Sequence, residues 1–223
     1  MSALAAAIVP AAPVLLPQLT GSTPAAGEVR EAAFESIAAM LATKPDVVVV
    51  VAEASPAGWF DPSTPLGLGR IGGHSGHEDA LPIPLAIGAQ LLRDAGWQGS
   101  VALLGLEPGI RPQNVDLPDR SALLLMANGS ARCTEKAPGA FHPGSEDFND
   151  SLSSALREAD LESLSRIDVD AAREQWSDAA APLALLGAAM NTPTSATMTY
   201  TNPWGGVYYL CGSLTSTAGS ESD

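Results

Sequence analysis

The sequence predicts an α/β protein: one domain with a mixed, mostly parallel central sheet and helices on both faces. Three observations predict this. The run Asp46-Val-Val-Val-Val-Val-Ala-Glu53 places five β-branched residues in succession. Such a run cannot have one polar face, so it reads as a central strand covered on both sides. Helical and strand-like stretches then alternate around it, the order expected of parallel pairs joined by right-handed crossovers. Finally, 223 residues without a dividing linker or an internal repeat suit a single large domain.

Each element has its own signal. Residues 3–9 are apolar and end at the rigid Pro10-Ala-Ala-Pro13, which marks a first strand, and Leu15, Leu16 and Leu19 then cover a hydrophobic surface. Residues 28–43 carry Val29, Ala33, Ile37, Met40 and Leu41 at helical spacing, with Glu28 and Glu31 suited to the positive end of the helix. Pro45 closes that helix before the valine strand. Residues 56–80 are rich in Gly and Pro and read as a functional loop or an irregular hairpin. A helix over 85–95 stops at Gly96, and strands follow over 100–104 and 121–127, separated by a Pro-rich loop. Ser145 reads as the N-cap of a helix over 146–159, with Phe148, Leu152, Ala155 and Leu156 as its stripe. Short helical segments over 161–167 and 169–176 precede residues 179–190, apolar nearly all round and hence a buried helix. Residues 195–201 and 206–211 read as a hairpin turned by Asn202-Pro-Trp-Gly205. The Ser-, Thr- and Gly-rich acidic residues 213–223 read as a disordered tail, which leaves 1–212 as the domain.

Composition narrows the function. Twenty-five acidic residues against 11 basic ones give a net charge of −14. Nucleic acid and anionic membrane surfaces require a basic footprint, so neither is an expected partner. The N-terminal apolar run has no Lys or Arg before it and is interrupted by Pro10, Pro13 and Pro17, which argues against a signal peptide or a membrane span and for the cytoplasm. Cys133 and Cys211 fit no metal or redox spacing; two free thiols are expected, and a single long-range disulfide is the other reading.

Few residues carry chemistry. His74 and His77, in Gly73-His-Ser-Gly-His-Glu-Asp79, stand three apart beside two carboxylates. They read either as metal ligands or as part of a polar surface loop. Gly67-Leu-Gly-Arg-Ile-Gly72 matches the spacing of a dinucleotide fingerprint but follows no strand and opens no helix, so it is read as coincidence. In open α/β sheets ligands bind beyond the carboxyl ends of the strands. That rule singles out Glu53, as a general base or a solvated boundary residue, and Asn128, Ser130 and Arg132, as a polar pocket or a turn around Gly129.

Several stretches taken together resemble the LigB-like superfamily, the catalytic-subunit relatives of class III extradiol ring-cleavage dioxygenases. Pro10-Ala-Ala-Pro-Val-Leu-Leu-Pro17 is similar to that superfamily's Cys-Pro-His-Pro-Pro-Leu-Leu segment after the first strand. Ser55-Pro-Ala-Gly-Trp59 stands where its second metal histidine falls. Met126-Ala-Asn-Gly-Ser-Ala-Arg132 resembles its Ser-x-Asp-Leu-Ser-His-Arg segment, and Phe148-Asn-Asp-Ser-Leu152 its Phe-Asp helix opening. Gly129-Ser-Ala-Arg132 and the closing Trp204-Gly-Gly-Val-Tyr-Tyr209 are similar to an actinobacterial branch of it. The resemblance spans nearly the whole chain and implies a three-layer sandwich.

It also implies where iron would lie, and there the chain departs from the pattern. Ala11 stands at the first iron-ligand histidine, residues 53–58 contain no histidine, and Ala131 stands at the acid/base histidine. Iron(II) in such enzymes is held by two imidazoles and a carboxylate. The expectation is therefore a LigB-like protein that has lost ring cleavage and needs no cofactor. It retains a cleft lined by Ala11, Ala12, Glu53, Ser55, Asn128, Ser130 and Arg132 for a small polar or aromatic ligand or a protein. The alternative is an active Fe2+-dependent dioxygenase of aromatic diols that uses His74 and His77. A structural or interaction subunit, or a homo-oligomer, is also compatible with the sequence.

Overall fold

A computed structural model describes residues 3–20, 26–72, 79–191 and 193–216 of the chain. Seven strands form one sheet: β1 (Ala5–Val9), β2 (Val47–Glu53), β3 (Gly58–Phe60), β4 (Ser100–Leu106), β5 (Ser121–Met126), β6 (Ser195–Trp204) and β7 (Val207–Thr215). Their order is β3-β4-β2-β5-β1-β7-β6. The inner four, β4-β2-β5-β1, run parallel, while β3, β7 and β6 each pair antiparallel with their neighbours. The expected α/β sandwich with a mixed, mostly parallel sheet is what the chain forms.

The valine run behaves as a doubly covered strand must. Val48 and Val50 join the core on one face and Val49 and Val51 the core on the other, all fully buried. Val47, at the start of the strand, is only half-buried. The first face is covered by α2 (Gly27–Leu41) and α3 (Ile83–Asp94), whose Val29, Ala33, Ile37, Met40, Leu85 and Leu91 are buried there. The second is covered by α4 (Ser145–Arg157), α5 (Leu161–Ser165), α6 (Val169–Glu174) and α7 (Ala180–Ala189). The remaining helical turn, α1 (Pro17–Thr20), follows a short 3-10 turn that buries Leu15.

The structure corrects three local readings. Ser145 lies inside α4 and makes no cap; Gly144 occupies the N-cap position. Asn202 and Pro203 belong to β6, and the hairpin turns instead at Gly205 and Gly206, with φ of 60° and 85°. A two-residue turn with positive φ at both positions matches the twist of the flanking strands. The 56–80 segment includes an edge strand, β3, that its composition did not announce. Strand β7 runs to Thr215 and pairs with β1, so Ser213, Leu214 and Thr215 belong to the sheet and not to a tail; residues 217–223 lie outside the described residues. Among the described residues no helix is long and apolar enough to cross a membrane. Cys133 and Cys211 are both free thiols.

Candidate functional site at the carboxyl ends of β2 and β5

Strands β2 and β5 are adjacent and parallel, but the chain leaves them in opposite directions. After β2 it passes to α3 on the first face; after β5 it passes to α4 through α7 on the second. Such a switch point opens a crevice beyond the strand ends, the place where α/β sheets bind ligands.

Glu53 ends β2 at this crevice and is half-buried. Its Oε1 accepts the backbone N–H of Gly109, at 3.4 Å, and of Ala181, at 3.3 Å. Ala181 lies in the first turn of α7, so a carboxylate from the sheet supplies the helix with the acceptor that its N-terminus lacks. Burial raises the Glu53 pKa above the ordinary carboxylate range; those two N–H donors and the more distant Arg173 guanidinium partly offset this.

Asp178 lies just before α7 and faces Asn128 beyond the end of β5. Its Oδ1 accepts the Asn128 backbone N–H at 2.5 Å, and its Oδ2 accepts the Asn128 Nδ2–H at 2.9 Å. The Ser177 hydroxyl adds a bond to the Asn128 carbonyl at 2.7 Å. Part of Asp178 reaches solvent, yet its carboxyl group is enclosed. That enclosure pushes its pKa up to about 7; the bonds from Asn128 oppose the shift, and the neighbouring Glu53 charge adds to it. The Tyr209 phenol, on β7, is raised by its own burial and by Asp178. Asn128 Oδ1, at the far side of the amide that Asp178 holds, is buried without a hydrogen-bond partner among the described residues. The crevice therefore gathers oxygen acceptors, two of them acidic and both with pKa raised chiefly by burial.

A cleft of about 190 Å³ adjoins Glu53. Pro108, Gly109, Arg173, Trp176, Ser177 and Ala180 help to line it. Arg173 and Trp176 come from α6 and the residues just after it, and Arg173 binds Asp170 at 2.6 Å.

The residues singled out by sequence separate here. Glu53 lines the cleft, and Asn128 connects to it through Ser177 of the lining, whose hydroxyl bonds the Asn128 carbonyl. Ala12 is buried in the first-face core, with Ala11 packed against it. Ser55 is exposed. Ser130 is fully buried: its hydroxyl donates to Gln175 Oε1 at 2.8 Å, and its N–H donates to Asn149. Arg132 clamps loop carbonyls, with Nε on Gly139 at 2.9 Å and Nη1 on Glu174 at 2.9 Å. Ser130 and Arg132 thus hold the loop after β5 together, the turn-forming alternative of the two readings. His74 and His77 lie outside the described residues. His142 is fixed elsewhere: its Nδ1 accepts from Gly144 N and Gln175 Nε2, so Nε2 carries the hydrogen donated to Glu174.

The iron site implied by the resemblance does not fit these side chains. The donors at the strand ends are carboxylates and an amide, with no imidazole among the described residues there. No three His, Cys, Asp or Glu side chains cluster as a metal site among the described residues. Asp178 was invisible to sequence reasoning because its partner Asn128 lies fifty positions away, beyond the end of β5; its one local signal, an Asp ahead of an apolar helix, suggests a cap, whereas Ala179 takes the cap position. Compared with protein-family models the chain matches none, and it matches no curated protein.

Proposed function

We propose that this chain is a LigB-like protein without iron-dependent ring cleavage that binds a small polar ligand at the carboxyl ends of β2 and β5. The observation that carries this reading is the meeting of Glu53, Asp178 and Asn128 at the switch point. Oxygen acceptors alone suit hard cations or hydrogen-bond donors and do not supply the two-imidazole, one-carboxylate set of a non-haem iron oxygenase. Ala131 offers no proton to shuttle. A site may lose its chemistry while its fold persists, because function is grafted onto the scaffold.

The test is an absorbance assay with protocatechuate and simple catechols, using anaerobically iron-loaded protein beside a competent ring-cleaving enzyme. No turnover is expected. Turnover that requires added iron, stops with a chelator and disappears in a His74→Ala/His77→Ala variant would overturn the reading in favour of the metalloenzyme.

A further inference from the structure

We propose that the cleft beside Glu53 takes a small organic cation, a primary ammonium compound whose charge meets the Glu53 carboxylate and whose body lies against Trp176. This rests on the reading of the switch point as a binding site and names the chemistry of its ligand.

The first support is an imbalance of acceptors over donors. Oε1 of Glu53 receives two N–H groups, but Oε2 has no hydrogen-bond partner among the described residues. Arg173, which also lines the cleft, makes no ion pair with Glu53; its Nη1 is held by Asp170 at 2.6 Å. A ligand that brings N–H donors and positive charge satisfies what the protein leaves open.

The second support is independent and comes from another residue of the same lining. Trp176 is 61% exposed and lines the same cleft. Its φ is 52°, a left-handed conformation that an aromatic residue seldom adopts and that glycine would adopt freely. Its indole lies against Gly139, and the rest of the ring reaches solvent. An indole face is the best aromatic partner for a cation. Val169, Ala172, Pro108 and Ala180 make the rest of the lining largely apolar. This favours an organic cation over a bare divalent ion, which demands about six to eight oxygen ligands in the case of calcium.

Isothermal titration of the full chain with benzylamine, benzyl alcohol and benzoate holds the ring constant and varies only the charge. Benzylamine should bind saturably and at least about tenfold more tightly than the alcohol, the value of one charge-assisted hydrogen bond. Glu53→Gln should remove that preference. Trp176→Ala, at an exposed position where folding is not at stake, should weaken benzylamine while leaving the circular dichroism unchanged. Binding of benzyl alcohol or benzoate as tight as that of benzylamine overturns the ammonium assignment and leaves the binding-cleft reading standing. Failure of all three to bind, or stoichiometric Mg2+ or Ca2+ binding that expels benzylamine, also overturns it. Iron-dependent catechol turnover instead sinks the reading on which it rests.

Discussion

Asp178 links the protein's stability to pH. Its folded-state pKa of about 7 lies above its ordinary value of 3.8. The folded chain therefore binds more protons at this group than the unfolded chain between those values. The sign follows: this group's contribution to stability is greatest below pH 4, falls as pH rises towards 7, and levels off above it. The full shift corresponds to about 4 kcal/mol, an upper bound because Asp178 is not sealed from water. Asp178→Asn removes the ionisation. Its side-chain oxygen can accept the Asn128 N–H, and Asn128 can turn its amide to receive the new NH2 with the Oδ1 that now lacks a partner. Urea denaturation at pH 5 and pH 8 should show the variant gaining on the parent at the higher pH by about 1–3 kcal/mol. A difference that does not change with pH would mean that Asp178 is already charged at pH 5.

At the scale of elements, two contacts set the second layer. Helix α7 is apolar on every side because it packs against both the sheet and α5. Gly187 makes the second contact possible: a Cβ there would fall against the Ser165 backbone N and the Leu161 carbonyl oxygen. Backbone cannot step aside as a side-chain tip can, so Gly187→Ala should cost about 1–3 kcal/mol despite the better helix propensity of alanine. Unchanged stability would show that α5 is free to shift. Under α7, Val49 lies fully buried in the second-face core. Val49→Asp places a carboxylate where no partner exists and should cost several kcal/mol or abolish folding, as read by denaturation or by loss of soluble protein.

The whole molecule carries a net charge of −14, and little in the structure balances it. The ion pairs among the described residues, Arg120–Asp46, Arg166–Glu162 and Arg173–Asp170, lie at the surface. Exposed pairs contribute little, and salt screens both them and the general repulsion. Repulsion dominates in a chain this acidic, so raising sodium chloride from about 10 mM to about 300 mM should raise Tm by a few degrees. A fall in Tm across that range would show that local pairs outweigh the global charge.

The sequence by itself determined the doubly covered β2, the buried β1 and β5, the stripes of α2 and α4 and the all-round apolar α7. Each of these is written in a local period or run, and the physics that reads it, burial of one face or of both, acts within a few residues. Glu53 was also legible, because a strand's carboxyl end is a local landmark. Only the tertiary structure decided that β5 inserts between β1 and β2, which creates the switch point, and that β7 extends through Ser213 to Thr215 by pairing with β1. It alone brought Asp178 to Asn128, fifty positions away in the chain, and Arg173 and Trp176 to the mouth of the Glu53 cleft. Ser130 and Arg132 read equally as pocket or turn until their partners Gln175, Asn149 and Glu174 were in place. Hydrogen-bond partners and shared burial between distant segments arise from how the whole chain hides its apolar faces, and no window of neighbouring residues encodes that.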